Sequence, residues 1–336
     1  MKSRIINIGS AKLLAIIFAV FLIGYGNVYL AGKTETSDKF EKVRACIQAL
    51  LLKAETEKPI ISSSYVKEKI VDDWDNQKEK YQILCVRRPE HYNQAGHIPH
   101  SINMYWRDIV KDENLNRLDP AKEIIIYCYF GNASSISYAI LSLLGFNCNG
   151  LNFGMEDWNL NALAREPWDM QSDYEVETRA NIPEDVYSPP VISSEKDNIK
   201  DVIKEMAAKY LEGESPVIEP AEVKEIVDDW ESKKAEYQIV SVRSDKDYER
   251  GHIPYAINIP WLKIAEVENL KKLDPGKTII VYSDNGQTGQ IASALLNLLG
   301  YKSVNMMFGM ADWNKSYVDE SLQWDGAADY PVEYGN

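Results

Sequence analysis

The residues best suited to do chemistry are Cys128 to Ser134, which read Cys-Tyr-Phe-Gly-Asn-Ala-Ser. They follow Ile124 to Tyr127 (IIIY), a β-branched run without polar alternation, as expected of a strand buried on both faces. They precede Ser134 to Leu144, where Ile136, Ile140, Leu143 and Leu144 form a helical stripe that Gly145 ends. A strand end, a short glycine-containing loop and a helix start together make a cradle for an anion. Loop amides point inward and the helix dipole adds positive potential. A thiol in that cradle would have its thiolate stabilised and would act as a nucleophile. The plain alternative is a buried structural cysteine at a strand end. The position immediately before a glycine loop and a helix favours the nucleophile.

The elements around this loop occur twice. Val71-Asp72-Asp73-Trp74 returns as Val227-Asp228-Asp229-Trp230, a shift of 156. Gly96-His97-Ile98-Pro99 returns as Gly251-His252-Ile253-Pro254, and Asp157-Trp158-Asn159 as Asp312-Trp313-Asn314, both shifted by 155. A period this long means two duplicated domains, since solenoid repeats run about 20–50 residues. Residues 38–170 and 198–332 are the expected domains. The acidic stretch 171–197, with Pro183, Pro189 and Pro190, reads as a solvated linker. In the first copy, Phe40 to Ala54 has helical periodicity, and Ser63 or Ser64 is placed to cap a helix running to Trp74. Gln82 to Val86 reads as a strand. The second copy follows with a strand at Thr278 to Tyr282 and a helix at Gly289 to Leu299. Alternating helices and buried strands imply α/β domains, each with a mainly parallel sheet.

The same residues resemble the rhodanese family. Cys85-Val86-Arg87, followed by Gly96-His97-Ile98-Pro99-His100-Ser101-Ile102-Asn103, resembles a D-x-R strand followed by G-H-I-P-x-A-x-N. Cys128 to Ala133 resembles its catalytic loop, C-x-x-G-x-R, and Leu144-Gly145-Phe146, Gly154-Met155 and Trp158 its closing segment. The resemblance implies two domains, each a five-stranded mainly parallel sheet flanked by helices. It also implies sulfur transfer through a persulfide on Cys128, with the amides of Tyr129, Phe130, Gly131, Asn132, Ala133 and Ser134 holding the outer sulfur. Arg87 and Cys85 are candidate supporting residues, and Cys85 is further considered as a thiol that resolves Cys128. The six-residue loop is the length the family associates with sulfur, against the longer loop of the related phosphatases. No cofactor is implied. The implied partners are a sulfane-sulfur donor (polysulfide, thiosulfate or a protein persulfide) and a thiol or cyanide acceptor.

Three departures from the family pattern bear on chemistry. Ala133 stands where the loop usually carries Arg, which removes a charge-assisted contact of about 1.5–3 kcal/mol to an anionic donor. Cys85 and Ser241 replace the usual Asp. The second loop reads Ser283-Asp284-Asn285-Gly286-Gln287-Thr288-Gly289. A serine cannot carry persulfide sulfur, so the second domain is expected to be non-catalytic. A sulfur carrier or binding module without turnover is the alternative to an enzyme.

Composition sets the outer bounds. The 336 residues are 45% hydrophobic with a net charge of -14, long enough for two cored domains. An acidic chain repels nucleic acid and anionic lipid, so neither is an expected partner. Lys2, Arg4 and Lys12 precede the apolar run Leu13 to Ile23, so residues 1–32 read as a signal peptide or an N-terminal membrane anchor. The domains are then expected in the periplasm or at the outer face of the cytoplasmic membrane. His91, His97, His100 and His252 have no metal-ligand spacing, and no C-x-x-C occurs. His97 and His252 are expected to fix their turns by hydrogen bonds, and Trp158 and Trp313 to lie in the cores.

Overall fold

A computed structural model describes residues 35–169, 172–183 and 185–335. The N-terminal segment read as a signal peptide or anchor lies outside these residues. No described helix is long and apolar enough to cross a membrane.

Each copy folds around a five-stranded, wholly parallel sheet. The first contains β1 (Ile60–Ile61), β2 (Tyr81–Cys85), β3 (Ile102–Asn103), β4 (Glu123–Tyr127) and β5 (Asn147–Leu151), in the order β1-β5-β4-β2-β3. The second contains β6 (Val217–Ile218), β7 (Tyr237–Ser241), β8 (Ile257–Asn258), β9 (Thr278–Tyr282) and β10 (Lys302–Met306), in the matching order β6-β10-β9-β7-β8. The central strands β4 and β9 are fully buried after their first residue, as their β-branched sequences require. Both Cys128 and Ser283 therefore emerge at the carboxyl end of a central strand.

Four longer helices join the two sheets. They are α1 (Glu35–Thr56), α2 (Asn132–Leu144), α3 (Ile199–Glu212) and α4 (Gln287–Leu298). Their apolar stripes, including Ile47, Ile140, Ile203 and Leu295, enter one continuous core with residues of both sheets. Each fully buried aliphatic side chain adds about 1.5–3 kcal/mol. The two domains therefore share a core rather than touching as separate bodies.

Local structure departs from expectation in two places. The helix expected from Ser63 to Trp74 is broken into a turn at Ser63–Val66, a wide turn at Lys67–Val71 and a further turn at Trp74–Gln77. Its cap is Ser62, whose hydroxyl accepts the Tyr65 amide at 3.2 Å. Helix α2 begins at Asn132, two residues before the expected start at Ser134, because Gly131 takes a left-handed conformation (φ 98°) that turns the chain directly into it.

The larger correction concerns the linker. Its first part is docked, not solvated. The Tyr174 amide donates to Trp313 O at 3.0 Å, the Trp313 indole donates to Glu175 O at 2.8 Å, and Glu177 exchanges backbone hydrogen bonds with His252 at 2.8 and 2.9 Å. The C-terminal tail, which the sequence assigns to the second domain as far as residue 332, does the same for the first. The Tyr330 amide donates to Trp158 O at 2.9 Å, the Trp158 indole to Pro331 O at 2.9 Å, and Glu333 exchanges bonds with His97 at 2.8 and 2.9 Å. The two segments are copies: Asp173-Tyr174-Glu175-Val176-Glu177 and Asp329-Tyr330-Pro331-Val332-Glu333, a shift of 156. Each strap leaves one domain and closes the other.

Candidate functional site

Cys128 lies at the end of β4, 2% exposed, with its sulfur held inside the loop. The Gly131 amide donates to Cys128 Sγ at 3.2 Å. Ser134 Oγ stands 3.5 Å from the sulfur and donates its proton to Gly131 O at 2.9 Å. That hydroxyl can accept a hydrogen bond from the neutral thiol, and can donate to a thiolate only by leaving Gly131 O. The first ladder bond of α2 runs from Ser135 N to Gly131 O at 3.0 Å. The Asn132, Ala133 and Ser134 amides precede it and have no helical acceptor. The back of the loop is pinned by the Met155 and Glu156 amides, which donate to Cys128 O and Tyr129 O, both at 3.0 Å. Gly154 permits this approach, since a Cβ there would stand 2.7 Å from Cys128 O.

The sulfur opens into a cleft of about 360 Å³. Tyr129, Phe130, Asn132 and Ala133 line it, while Gly131 is covered and Ser134 is fully buried behind the sulfur. Trp106 lines this cleft, and its counterpart Trp261 lines the equivalent cleft of the second domain.

Three arginines that the sequence reading passed over also line the Cys128 cleft: Arg88, Arg107 and Arg165. Each guanidinium sits over an aromatic ring. Arg165 lies 4.4 Å from the Tyr129 centroid, Arg107 4.4 Å from Trp106 and Arg88 5.6 Å from Tyr105. The signal that would have found them is a position-by-position comparison of the copies, in which they face Ser244, Leu262 and Glu320. Positive charge surrounds the loop that has the cysteine and is missing at these positions around the loop that has the serine.

The two candidate supporting residues do not reach the sulfur. Cys85 is paired in register with Tyr127, and both side chains lie in the core on one face of the sheet. Cys128, one residue further on, lies in the core on the opposite face. The structure therefore does not bring Cys85 to Cys128. Cys85 Sγ instead accepts from Arg87 Nε at 3.4 Å. Arg87 is fully buried and donates to Ala162 O at 2.7 Å and Gly96 O at 2.5 Å, so it fastens surrounding turns and does not face the cleft. All four cysteines are free thiols. Burial pushes the Cys148 thiol up to about 12 and raises that of Cys46, which disfavours a thiolate at either position.

The second loop repeats the geometry with oxygen for sulfur, the Gly286 amide donating to Ser283 Oγ at 3.0 Å. Asp284, the next residue, is paired with Arg243 Nε at 2.6 Å. The turn histidines behave as expected. His97 Nδ1 lies 3.1 Å from Tyr92 O, and His252 Nδ1 lies 2.9 Å from Tyr248 O. Trp158 and Trp313 are fully buried.

A family model described as "Rhodanese-like domain" matches residues 69–161 and 219–316. A curated relative, the "Putative sulfur carrier protein YrkF" of Bacillus subtilis (strain 168), is 32% identical over 77 residues, which are 22% of this chain and 40% of that protein. This chain thus spans less than half the length of that relative. Among solved structures, the thiosulfate sulfurtransferase of Pseudomonas aeruginosa is 17% identical, covering 86% of this chain and 49% of that one at a TM-score of 0.29. A rhodanese-like domain protein from Staphylococcus aureus is 29% identical, covering 33% of this chain and 98% of that one at a TM-score of 0.26.

Proposed function

This chain belongs to the rhodanese-like domain family, and from that premise we propose that it is a sulfurtransferase that carries sulfane sulfur as a persulfide on Cys128. The observation that carries the reading is the Gly131 amide directed at Cys128 Sγ, at the start of a 13-residue helix and at the floor of an open cleft. In the first half-reaction the Cys128 thiolate attacks the outer sulfur of a donor. The donor S–S bond breaks and its electron pair leaves with the remainder, sulfite in the case of thiosulfate. In the second, a thiolate or cyanide attacks the outer sulfur of the persulfide and Cys128 departs as thiolate. The amides at the start of α2 favour the anionic persulfide between the two steps. Ser283 supports a non-catalytic second domain, since a serine hydroxyl forms no persulfide.

The test is intact-mass measurement of the full-length chain after incubation with polysulfide or thiosulfate, beside Cys128→Ser. A gain of about one sulfur atom (~32 Da), removed by cyanide and missing in the variant, is the expected result of thiolate chemistry at Cys128. No adduct with these donors or with an organic persulfide overturns the reading. Thiocyanate formed over many turnovers marks an enzyme, and a single equivalent marks the carrier alternative.

The basic residues and apolar run at the N-terminus support a placement of both domains outside the cytoplasm, as a cleaved or anchored protein. Protease accessibility in intact cells after removal of the outer envelope tests this.

A further inference from the structure

We propose that the cleft over Cys128 recognises a small organic persulfide bearing carboxylates, through Arg165 and Arg88, with the second domain forming one wall. The proposal rests on the persulfide reading of Cys128 and names its donor.

The loop itself offers an anion only amides, because Ala133 stands where an arginine would reach in. Charge is supplied from outside the loop, by residues distant in sequence. Among the described residues, Arg165 has no carboxylate partner, and Arg88 has only Glu90 at 3.7 Å, both of them largely exposed. Their seats on Tyr129 and Tyr105 hold the guanidinium groups in place and leave N–H edges for carboxylate oxygens. Arg107 differs: it donates to Leu211 O, and to Gly213 O at 3.1 Å, so it ties the cleft to the second domain.

Size selects the organic donor over an inorganic one. A volume of about 360 Å³ lies within the range of small-ligand sites and well above the needs of a thiosulfate ion. The far wall is Pro216, Val217 and Met307 of the second domain, which gives an apolar surface for the body of a thiol compound. The equivalent cleft beside the Ser283 loop has neither the thiol nor these arginines, so charge and nucleophile occur together within this one chain.

The step proposed is Cys128–S⁻ + R–S–SH → Cys128–S–SH + R–S⁻. The Cys128–sulfur bond forms, the donor S–S bond breaks, and R–S⁻ leaves with its electron pair, so no external oxidant or reductant is needed.

Two measurements on the full-length chain test this. The first is the rate of sulfur loading from glutathione persulfide, used as the carboxylate-bearing probe, and from 2-hydroxyethyl persulfide, its uncharged counterpart. Arg165→Gln is expected to slow loading from the first roughly tenfold, as the loss of one charge-assisted contact implies. Loading from the uncharged donor should be unchanged, and Arg165→Lys should recover part of the loss. Equal slowing with both donors, or none with either, overturns the proposal. The second is calorimetric binding of S-methylglutathione, which keeps the carboxylates and has no transferable sulfur. Binding that weakens in Arg165→Gln while Cys128 never loads supports the recognition of carboxylates by Arg165 and overturns both the persulfide reading and the transfer step that rests on it. No binding to the unaltered chain overturns the proposal even if Cys128 loads from other donors.

Discussion

Gln287, the first residue of α4, lies across Gly131 in the Cys128 loop: a Cβ on Gly131 would stand 2.7 Å from Gln287 Cδ. Gln287 is not free to yield. Its Nε2 donates to Leu151 O and its Oε1 accepts the Phe153 amide, both at 3.3 Å. The loop of the domain that has the serine is thus packed onto the loop of the domain that has the thiol. Phe130 and Phe308 continue the contact edge to face, with ring centroids 5.4 Å apart.

Gly131→Ala is therefore expected to destabilise the chain by roughly 1–3 kcal/mol, through the positive φ and the crowding of Gln287. It should also slow persulfide loading by displacing the amide that faces Sγ. Adding Gln287→Ala should recover part of the stability lost to crowding and none of that lost to φ. Denaturant melts of the single and double variants measure the coupling.

Mild oxidation is expected to leave Cys85 and Cys128 unlinked, since their side chains lie on opposite faces of the sheet. A Cys85–Cys128 disulfide in a peptide map would contradict that register. Cys148, whose thiol burial pushes up to about 12, should resist iodoacetamide at pH 8 until the protein is unfolded.

Removing residues 327–336 should loosen the first domain, although those residues follow the second. The deletion leaves the buried Trp158 indole and the Asn159 amide without the acceptors Pro331 O and Tyr330 O. A loss of at least about 2 kcal/mol is expected. Hydrogen exchange should speed up around His97 and Trp158 and stay slow in β9. Unchanged protection at His97 would show the strap to be passive.

The straps also make stability pH-dependent. His97 is stacked on Tyr92 and His252 on Tyr248, and burial holds both imidazoles below their ordinary value. Glu333 and Glu177, 3.9 and 3.7 Å from the respective Nε2 atoms, oppose that shift, and Arg87 and Arg243 add to it. The unfolded chain then binds protons that the folded chain resists, so this stability is present above about pH 6.5 and is lost as pH falls below it. Melts of His97→Gln with His252→Gln should show a flatter slope between pH 7.5 and 5.5 than the parent.

Glu156 has the opposite sign. Its carboxyl accepts the Trp168 amide at 2.5 Å, its other oxygen is buried without a partner, and burial raises it to about 7. The folded state therefore keeps a proton that the unfolded state releases above about pH 4.3, and stability falls as pH rises through about 7. Glu156→Gln should raise Tm at pH 8 and leave it little changed at pH 5.

The duplication, the α/β class and the position of Cys128 were all set by local signals. A β-branched run, a glycine able to adopt positive φ and an apolar stripe act over a few residues, so they can be read along the chain. That Ser283 stands where the first copy has Cys128 is equally a matter of one residue at one position. The tertiary structure alone decided what depends on strand register and on distant segments meeting. Adjacent strands bring Cys85 and Cys128 close along the sheet, and only their register puts them on opposite faces. Arg88, Arg107 and Arg165 follow different elements and converge because the carboxyl ends of parallel strands share one edge of the sheet. The repeated Asp173–Glu177 and Asp329–Glu333 segments were present in the sequence, yet nothing local shows that each would close the other domain. That exchange exists because the two cores are joined through α1, α2, α3 and α4, which places the end of each copy beside its neighbour.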